Sequence, residues 1–312
     1  MIGKRDLLLS AAATAALASL STGRAEAVAK TVKEIEMPEP TGFALALGGG
    51  AAKAFAHIPI LEAIDELGVR PAEIAGTSMG AILGGLYASG MTAREIREFA
   101  VDLLTRKPQL LQRLFLSNGR TWQSLFNVAR PAIIEPVVLF ETVLPSTLVA
   151  RFSDLRIPMK IIATDFNSQS QVVLEEGPLL PAIAASSALP ILLTPVELEG
   201  RVLIDGGFVN PTPFDVLDAQ HQITVAIDVT GSEFKSRKAL PTGMETWIGS
   251  FSITLHSLVA AKLACTRPDL LVEPPIGHFK TMDFFRISDI LAAAEASKDS
   301  FKQRLTELLD GR

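Results

Sequence analysis

The pattern of apolar and polar residues changes between a strand-like and a helix-like period along the chain, with glycines at the changes. FALALGGG (residues 43–50) predicts a buried strand that enters a glycine turn. IPILEAIDELG (58–68) has apolar residues at helical spacing and ends at a glycine suited to capping a helix. RPAEIAGTSMG (70–80) predicts a second strand and turn, and MGAILGGLYASG (79–90) a second helix. Strand, helix, strand, helix predicts a parallel sheet with crossover helices.

The same pattern continues toward the C-terminus. Thr92 and Glu95 have the spacing of a capping box at the start of a third helix. Further strands, which extend the sheet to about residue 230, are predicted at MKIIATDF (159–166), QVVLEE (171–176), RVLIDGG (201–207) and QITVAIDVT (222–230). The remainder predicts a helix (245–264), a strand-like DLLVEP (269–274) and a terminal helix (292–309). Residues 107–150 lack a clear period, so a substrate-facing lid and extra core helices are both open there.

The first 27 residues have the pattern of a signal peptide. Lys4 and Arg5 precede an apolar run to about Leu20, and AEA at 25–27 suits cleavage after Ala27. The basic pair also has a weak similarity to a twin-arginine signal. We therefore expect export to the periplasm or the medium, with an uncleaved N-terminal membrane anchor as the alternative. We then expect residues 28–41 to form a linker, 42–230 the α/β core, and 231–312 a mainly helical portion packed on the same domain.

Composition narrows the possible functions. The chain has 312 residues, of which 48% are hydrophobic, so it can build a sizeable core. Its net charge of −5 comes without long runs of like charge, which makes nucleic acid an unexpected partner. A single cysteine and four scattered histidines give no spacing typical of a metal site. We expect no metal and no cofactor, and no pattern indicates an oligomeric state.

GTSMG (76–80) has the GxSxG spacing of a nucleophile elbow. Strand precedes it and helix follows, and close backbone approach on both sides explains Gly76 and Gly80. Ser78 would then lie at a helix N-terminus, where the dipole favours developing negative charge. The alternative is a serine that only caps the helix.

Two other segments offer groups that a serine nucleophile needs. Successive peptides of Gly49, Gly50 and Ala51 can present backbone N–H groups to an oxyanion, although this glycine turn could also be merely tight. It does not fit GxGxxG or a GK[ST] phosphate loop. Asp205, in LIDGGFVNPTP, ends a strand, where open α/β sheets gather their sites, and a desolvated carboxylate can serve as a general base. The alternative is a turn aspartate that bonds to its own backbone.

Together these segments resemble the patatin-like phospholipases, which are lipid acyl hydrolases with a Ser-Asp dyad. The resemblance runs through FALALGGGAAKAFAHIPILEAIDELGV, IAGTSMGAILGGLYASG, ATDF and AIAASSALPILLTPVELEGRVLIDGGFVNPTP, over most of residues 43–215. It implies an α/β fold, a three-layer α/β/α sandwich around a mainly parallel sheet. It also implies Ser78 as nucleophile, Asp205 as proton acceptor and the Gly49–Ala51 turn as oxyanion hole.

The first motif departs from the family pattern GGGxRG. Ala51, Lys53 and Ala54 stand where the family has glycine, arginine and glycine. Ala51 still supplies a backbone N–H, but a positive φ there would be strained. Lys53 is a candidate headgroup contact, and pairing with a carboxylate is its alternative.

The expected function is hydrolysis of phospholipids, lysophospholipids or other acyl esters through an acyl-serine intermediate. The substrate alone implies transient contact with a membrane surface. One alternative is an esterase with a Ser-Asp-His triad, because His221, His256 and His278 all follow Asp205, whereas His57 fits no triad order. Another is a non-catalytic lipid-binding protein, which would have no need for a nucleophile, a base and an anion hole together.

Overall fold

The computed structural model describes residues 41–106, 134–218, 223–231 and 240–311. The predicted signal peptide and nearly all of the predicted linker lie outside these residues and stay predictions, as does His221. Of the irregular segment 107–150, the described part contains a helix that lines a cavity.

One mixed sheet forms the centre of the described residues. Its strands are β1 (Thr41–Leu47), β2 (Pro71–Thr77), β3 (Met159–Asp165), β4 (Ser170–Leu174), β5 (Val196–Leu198), β6 (Arg201–Asp205), β7 (Ile223–Ile227) and β8 (Leu270–Val272). The order across the sheet is β5-β6-β3-β2-β1-β7-β8, and β4 also pairs with β3. The strands from β3 to β8 in this order pair in parallel, whereas β4, β5 and β6 pair antiparallel. The predicted fold class, an α/β sandwich with a mainly parallel sheet, is confirmed.

Eight α-helices accompany the strands in the described part of the chain. They are α1 (His57–Leu67), α2 (Met79–Ala88), α3 (Ala93–Val101), α4 (Pro136–Val143), α5 (Leu179–Ser186), α6 (Gly243–Cys265), α7 (Ile287–Glu295) and α8 (Lys298–Asp310). Gly68 ends α1 with a left-handed φ of 67°, and Thr92 and Glu95 form the predicted capping box of α3. The predicted single terminal helix is wrong, because a turn at Ala296–Ser297 divides it into α7 and α8. Both helices can then bury apolar residues, with Leu291 in α7 and Leu305 in α8 as examples.

The two faces of the sheet are covered unequally. Phe43, Leu45 and Leu47 of β1 belong to the large core on one face. Ala44 and Ala46 point to the opposite face with a smaller cluster, which includes Phe214 and is bordered by Leu263 of α6. Because Ala44 and Ala46 have small side chains, the residues that cover this face can pack close to the sheet.

Charged side chains join the C-terminal helices to the core. Arg97 of α3 makes two hydrogen bonds of 2.6 Å to the carboxylate of Glu62 in α1, and also contacts Glu295 of α7. Lys298 of α8 lies 2.7 Å from Glu66 of α1.

The portion after residue 230 also completes the sheet. β8 pairs with β7, so a domain boundary at residue 230 would divide the sheet.

Helix α6 lines the cavity and also packs beside the smaller apolar cluster on the second face of the sheet. By length and composition its segment Glu245–Cys265 is the one helix of the described residues that could cross a membrane. In the fold, Leu255 and Val259 of α6 are buried, and Lys262 bonds to Asn210 and Asp215. These contacts give its apolar stripe a role within the domain.

A two-residue loop joins β5 to β6. Leu198 pairs with Arg201 across the hairpin, and the loop residues Glu199 and Gly200 have φ values of 52° and 74°. Positive φ at both positions is the mark of a type I′ turn, whose twist matches that of the flanking strands. The loop therefore sets the register of β6 against β5.

Candidate active site

Ser78 occupies a strained turn between a strand and a helix. β2 ends at Thr77 and α2 begins at Met79, so Ser78 alone makes the connection, with φ 54° and ψ −123°. A β-carbon on Gly80 would lie 2.2 Å from the carbonyl oxygen of Leu47, and one on Gly76 would lie 2.8 Å from Cα of Ala81. Both glycines are thus required for the reason predicted from the motif, which is close backbone approach.

The hydroxyl of Ser78 points to a carboxylate. Ser78 Oγ donates a hydrogen bond of 2.7 Å to Asp205 Oδ2, across 127 positions of sequence. Ser78 makes no side-chain cap to α2, so the capping alternative does not describe it. The pair of side chains predicted from the sequence is therefore in direct contact.

Strand register explains why these two residues meet. Thr77, the residue before Ser78, pairs with Ile162 of β3. Asp205 pairs with Ala163, the next residue of β3. Asp205 ends β6 and is thus level with the carboxyl end of β2, at the sheet edge where the sequence places both residues. The predicted meeting is right, but β6 reaches this edge antiparallel to β3, a direction that the sequence did not predict.

Asp205 is held firmly in a buried position. Its Oδ1 accepts the N–H of Gly207 at 2.7 Å, which is the local turn contact considered as its alternative role, while Oδ2 stays with Ser78. Its carbonyl oxygen accepts the Thr164 hydroxyl at 2.8 Å. Burial raises the pKa of Asp205 to about 6, against the lowering effect of the hydrogen bonds from Gly207 and Ser78. Above that pH the group is a carboxylate with raised proton affinity, as a general base requires.

The Gly49–Ala51 turn lines a cavity that Ser78 also lines. Its N–H groups differ in whether they already donate a hydrogen bond to another residue. Gly49 N–H donates to the carbonyl oxygen of Pro211 at 2.8 Å, so Gly49 is corrected from an oxyanion donor to an anchor of the turn. Gly50 and Ala51 line the cavity, and neither N–H has a hydrogen-bond acceptor among the described residues. These two N–H groups are the remaining candidates for an oxyanion hole.

Ala51 has the positive φ that the sequence flagged as strained, with a value of 48°. Replacing Ala51 by glycine is expected to raise the free energy of unfolding by about 1 kcal/mol, because glycine adopts this region without a β-carbon clash. Chemical denaturation measures the change. Ala52→Gly is the matched control: Ala52 is buried in the adjacent turn without a positive φ, so it should lose stability. Equal losses in both variants would contradict the strain assigned to Ala51.

Lys53 does not reach the cavity, and its predicted headgroup contact is corrected. The residue is 2% exposed, and its Nζ donates to the carbonyl oxygens of Thr230 at 3.1 Å and Gly231 at 2.6 Å. Burial lowers the pKa of Lys53 to about 8, while nearby Asp228 raises it in part. Lys53 thus ties the first helical turn to the segment after β7.

The described histidines lie apart from the dyad. His57 is fully buried, and its Nε2–H donates a local hydrogen bond of 2.7 Å to the carbonyl oxygen of Gly48. Burial lowers the pKa of His57 to about 4, so the ring is neutral at working pH. His256 and His278 are exposed. No histidine in the described ranges bonds to Ser78 or Asp205.

The dyad opens into an apolar cavity of about 590 Å³. Its size lies within the range of small-molecule sites. The described lining residues carry three polar side chains, those of Ser78, Ser187 and Asp205, and the others are aliphatic, aromatic, methionine, alanine or glycine. Helix α4 supplies Leu139 and Phe140 to this wall. No group of three potential metal ligands occurs among the residues that the structure describes.

Sequence reasoning missed two neighbours of the dyad, Ser186 and Ser187. Ser186 Oγ accepts the backbone N–H of Ser78 at 2.8 Å, and Ser187 lines the cavity. The SSALP segment was noted for its resemblance, but nothing in its pattern tells which backbone groups its hydroxyls contact.

The chain is similar to several known proteins. Residues 45–218 match the family model described as Patatin-like phospholipase. An uncharacterized NTE family protein of Mycobacterium tuberculosis is 32% identical over 207 residues, covering 66% of this chain and 54% of the relative. The human patatin-like phospholipase domain-containing protein 6 is 27% identical over 276 residues, covering 79% of this chain and 19% of the relative. The crystal structure of VipD from Legionella pneumophila superposes with a TM-score of 0.47 at 13% identity, covering 85% of this chain and 67% of that one.

The chain thus spans about half the length of the mycobacterial relative and about a fifth of the human one. The family model covers more than half of the chain, including Ser78, Asp205 and the glycine turn. The chain belongs to the patatin-like phospholipase family.

Proposed function

We propose that the protein is a serine hydrolase that cleaves carboxylic esters of lipids through a Ser-Asp dyad. The observation that carries the proposal is the 2.7 Å hydrogen bond from Ser78 Oγ to Asp205 Oδ2 at the wall of an apolar cavity. A nucleophile in contact with its base, beside uncommitted backbone N–H groups, is the arrangement that acyl transfer needs.

The mechanism follows from these contacts. Ser78 Oγ attacks the ester carbonyl carbon as its proton passes to Asp205, and the N–H groups of Gly50 and Ala51 hold the oxyanion. Collapse of the tetrahedral intermediate breaks the bond to the alcohol oxygen, which takes the proton from Asp205 and leaves Ser78 acylated. Water then attacks the acyl-serine with Asp205 as base, which releases the fatty acid and restores Ser78.

The cavity supports a substrate with an acyl chain. Among the described lining residues no lysine or arginine is present, so the phosphate of a phospholipid would lie outside this part of the cavity. We propose phospholipids, lysophospholipids or other acyl esters as substrates, bound through the acyl chain.

Covalent labelling tests the nucleophile. A fluorophosphonate incubated with the full chain is expected to modify Ser78, as read by peptide mapping, and to leave Ser78→Ala unlabelled. Labelling of another serine, or equal labelling of the variant, would reject the proposal. A folded wild type that neither reacts nor hydrolyses esters of any chain length would favour the lipid-binding alternative. A His221→Ala variant that folds but loses all activity would favour the triad.

Exposed apolar side chains at the cavity support transient contact with a membrane. Phe285 lines the cavity yet is 60% exposed, and Val138, next to the lining residue Leu139 in α4, is 51% exposed. Phe285→Asp is expected to lower the fraction of protein that floats with phosphatidylcholine vesicles severalfold. Phe166→Asp is the control, because Phe166 is 61% exposed but does not line the cavity. An equal reduction in both variants would contradict docking at the cavity.

Export is proposed from the signal-like N-terminus alone. Mass spectrometry of protein recovered outside the cytoplasm should find a mature chain that starts at Val28, and a retained Met1 would contradict cleavage.

A further inference from the structure

The segment Ser186–Ala188, at the end of α5, contacts both members of the dyad. Ser186 Oγ accepts the N–H of Ser78 at 2.8 Å. The carbonyl oxygen of Ala188 accepts the N–H of Asp205 at 3.1 Å. Two residues of one short segment thus fix the backbones of the nucleophile and the base.

Ser187 lies between these two anchors, with a side chain that the fold leaves unused. Its N–H bonds to the carbonyl oxygen of Ile183 at 3.1 Å, and its own carbonyl accepts the N–H of Leu189 at 2.8 Å, so its backbone is held. The residue is 7% exposed and lines the cavity. Its Oγ has no hydrogen-bond partner among the described residues.

A buried hydroxyl without a hydrogen-bond partner is unfavourable unless a ligand forms that hydrogen bond. Of the three polar side chains that line the described cavity, Ser78 and Asp205 bond to each other. Ser187 therefore offers the cavity an uncommitted side-chain donor. An acyl chain has no acceptor, whereas the ester group that reacts with Ser78 has two acceptor oxygens.

We propose that Ser187 Oγ–H donates a hydrogen bond to the oxygen on the alcohol side of the scissile ester. The carbonyl oxygen already has candidate donors in the N–H groups of Gly50 and Ala51. The alcohol oxygen gains negative charge as its bond to the carbonyl carbon breaks, so a donor there stabilises the transition state more than the bound substrate. The inference rests on the proposed function.

Two substrates with the same acyl chain, one an oxygen ester and one a thioester, test this assignment. Ser187→Ala is expected to lose roughly 10- to 100-fold in kcat on the oxygen ester. On the thioester the loss should stay within about threefold, because sulfur is a weak acceptor. The Tm of Ser187→Ala should stay unchanged or rise, since the variant removes an unpaired buried hydroxyl.

Ser186→Ala is the matched control, because it removes the acceptor of Ser78 N–H from the same segment. It should lower Tm and slow both substrates alike. A Ser187→Ala enzyme as fast as wild type, one that slows equally on both substrates, or one whose Tm falls with its activity would overturn the assignment. If Ser78→Ala keeps the activity, the proposed function itself fails. If Ser78→Ala is inactive and Ser187→Ala is unimpaired, only the role of Ser187 fails.

Discussion

Asp205→Asn is expected to lose about 10³-fold or more in kcat/KM and to unfold less readily than the wild type at pH 8. The amide has nearly the same shape, and its oxygen can still accept the N–H of Gly207, but it cannot take the Ser78 proton. Burial raises the pKa of Asp205 from 3.8 to about 6, so the ionised carboxylate destabilises the folded state. Removing that charge should stabilise the fold by about 3 kcal/mol above pH 6.

The sign of the pH dependence follows from the raised pKa. Between pH 3.8 and about 6 the folded state binds a proton at Asp205 that the unfolded state releases, so this contribution to stability falls as pH rises. The gain from Asp205→Asn should therefore vanish below pH 4 and reach its full size above pH 6. The kcat/KM of the wild type should rise through an apparent pKa near 6, because the base must be ionised.

Urea denaturation across this pH range and ester hydrolysis measure both effects. Asp165→Asn is the matched control, because Asp165 ends β3 and its pKa is lowered by the backbone N–H groups of Ser168 and Asn167. That variant should keep its activity and lose stability at neutral pH. An Asp205→Asn enzyme within tenfold of wild type, or one that is less stable at pH 8, would refute the role assigned to Asp205.

Gly80→Ala is expected to prevent folding or to lower the free energy of unfolding by about 4 kcal/mol or more. Its new β-carbon would lie 2.2 Å from the carbonyl oxygen of Leu47 and 2.8 Å from that of Gly48. Both atoms belong to the backbone at the end of β1, so no side-chain rotation can relieve the clash. Soluble yield and urea denaturation report the effect.

Gly249→Ala provides the comparison for that substitution. Gly249 lies inside α6, and a β-carbon there would meet nothing within 4 Å. Alanine should raise stability there by about 0.5–1 kcal/mol through helix propensity. Wild-type stability in Gly80→Ala would show that the elbow and β1 do not pack as closely as described.

Local patterns predicted the parts of the site that depend on neighbours in sequence. Gly76, the cap at Gly68 and the capping box of Thr92 each follow from steric or hydrogen-bonding needs within a few residues. Gly80 was predicted from the spacing of the motif, although the backbone it approaches belongs to Leu47 and Gly48. The family resemblance added the pairing of Ser78 with Asp205, which lie in direct contact.

Features that depend on distant partners could not be predicted in this way. Nothing near Gly49 indicates that its N–H goes to Pro211, and nothing near Lys53 indicates that it turns inward to Thr230. The antiparallel entry of β6 was equally hidden, because strand direction is set by which neighbour a strand finds. Each of these outcomes is decided by tertiary contacts far away in sequence.

The hairpin loop at Glu199 and Gly200 has a consequence for how the proposed activity could be lost or varied among related chains. Side chains along a strand alternate between faces, so a length change in that loop that shifted β6 by one residue against β3 would turn Asp205 away from Ser78 while every cavity residue kept its identity. A length change in a surface turn could thus convert a hydrolase into an inactive homologue in which every motif is still recognisable. Loop length should therefore be compared together with the motifs when related chains are divided into active and inactive members.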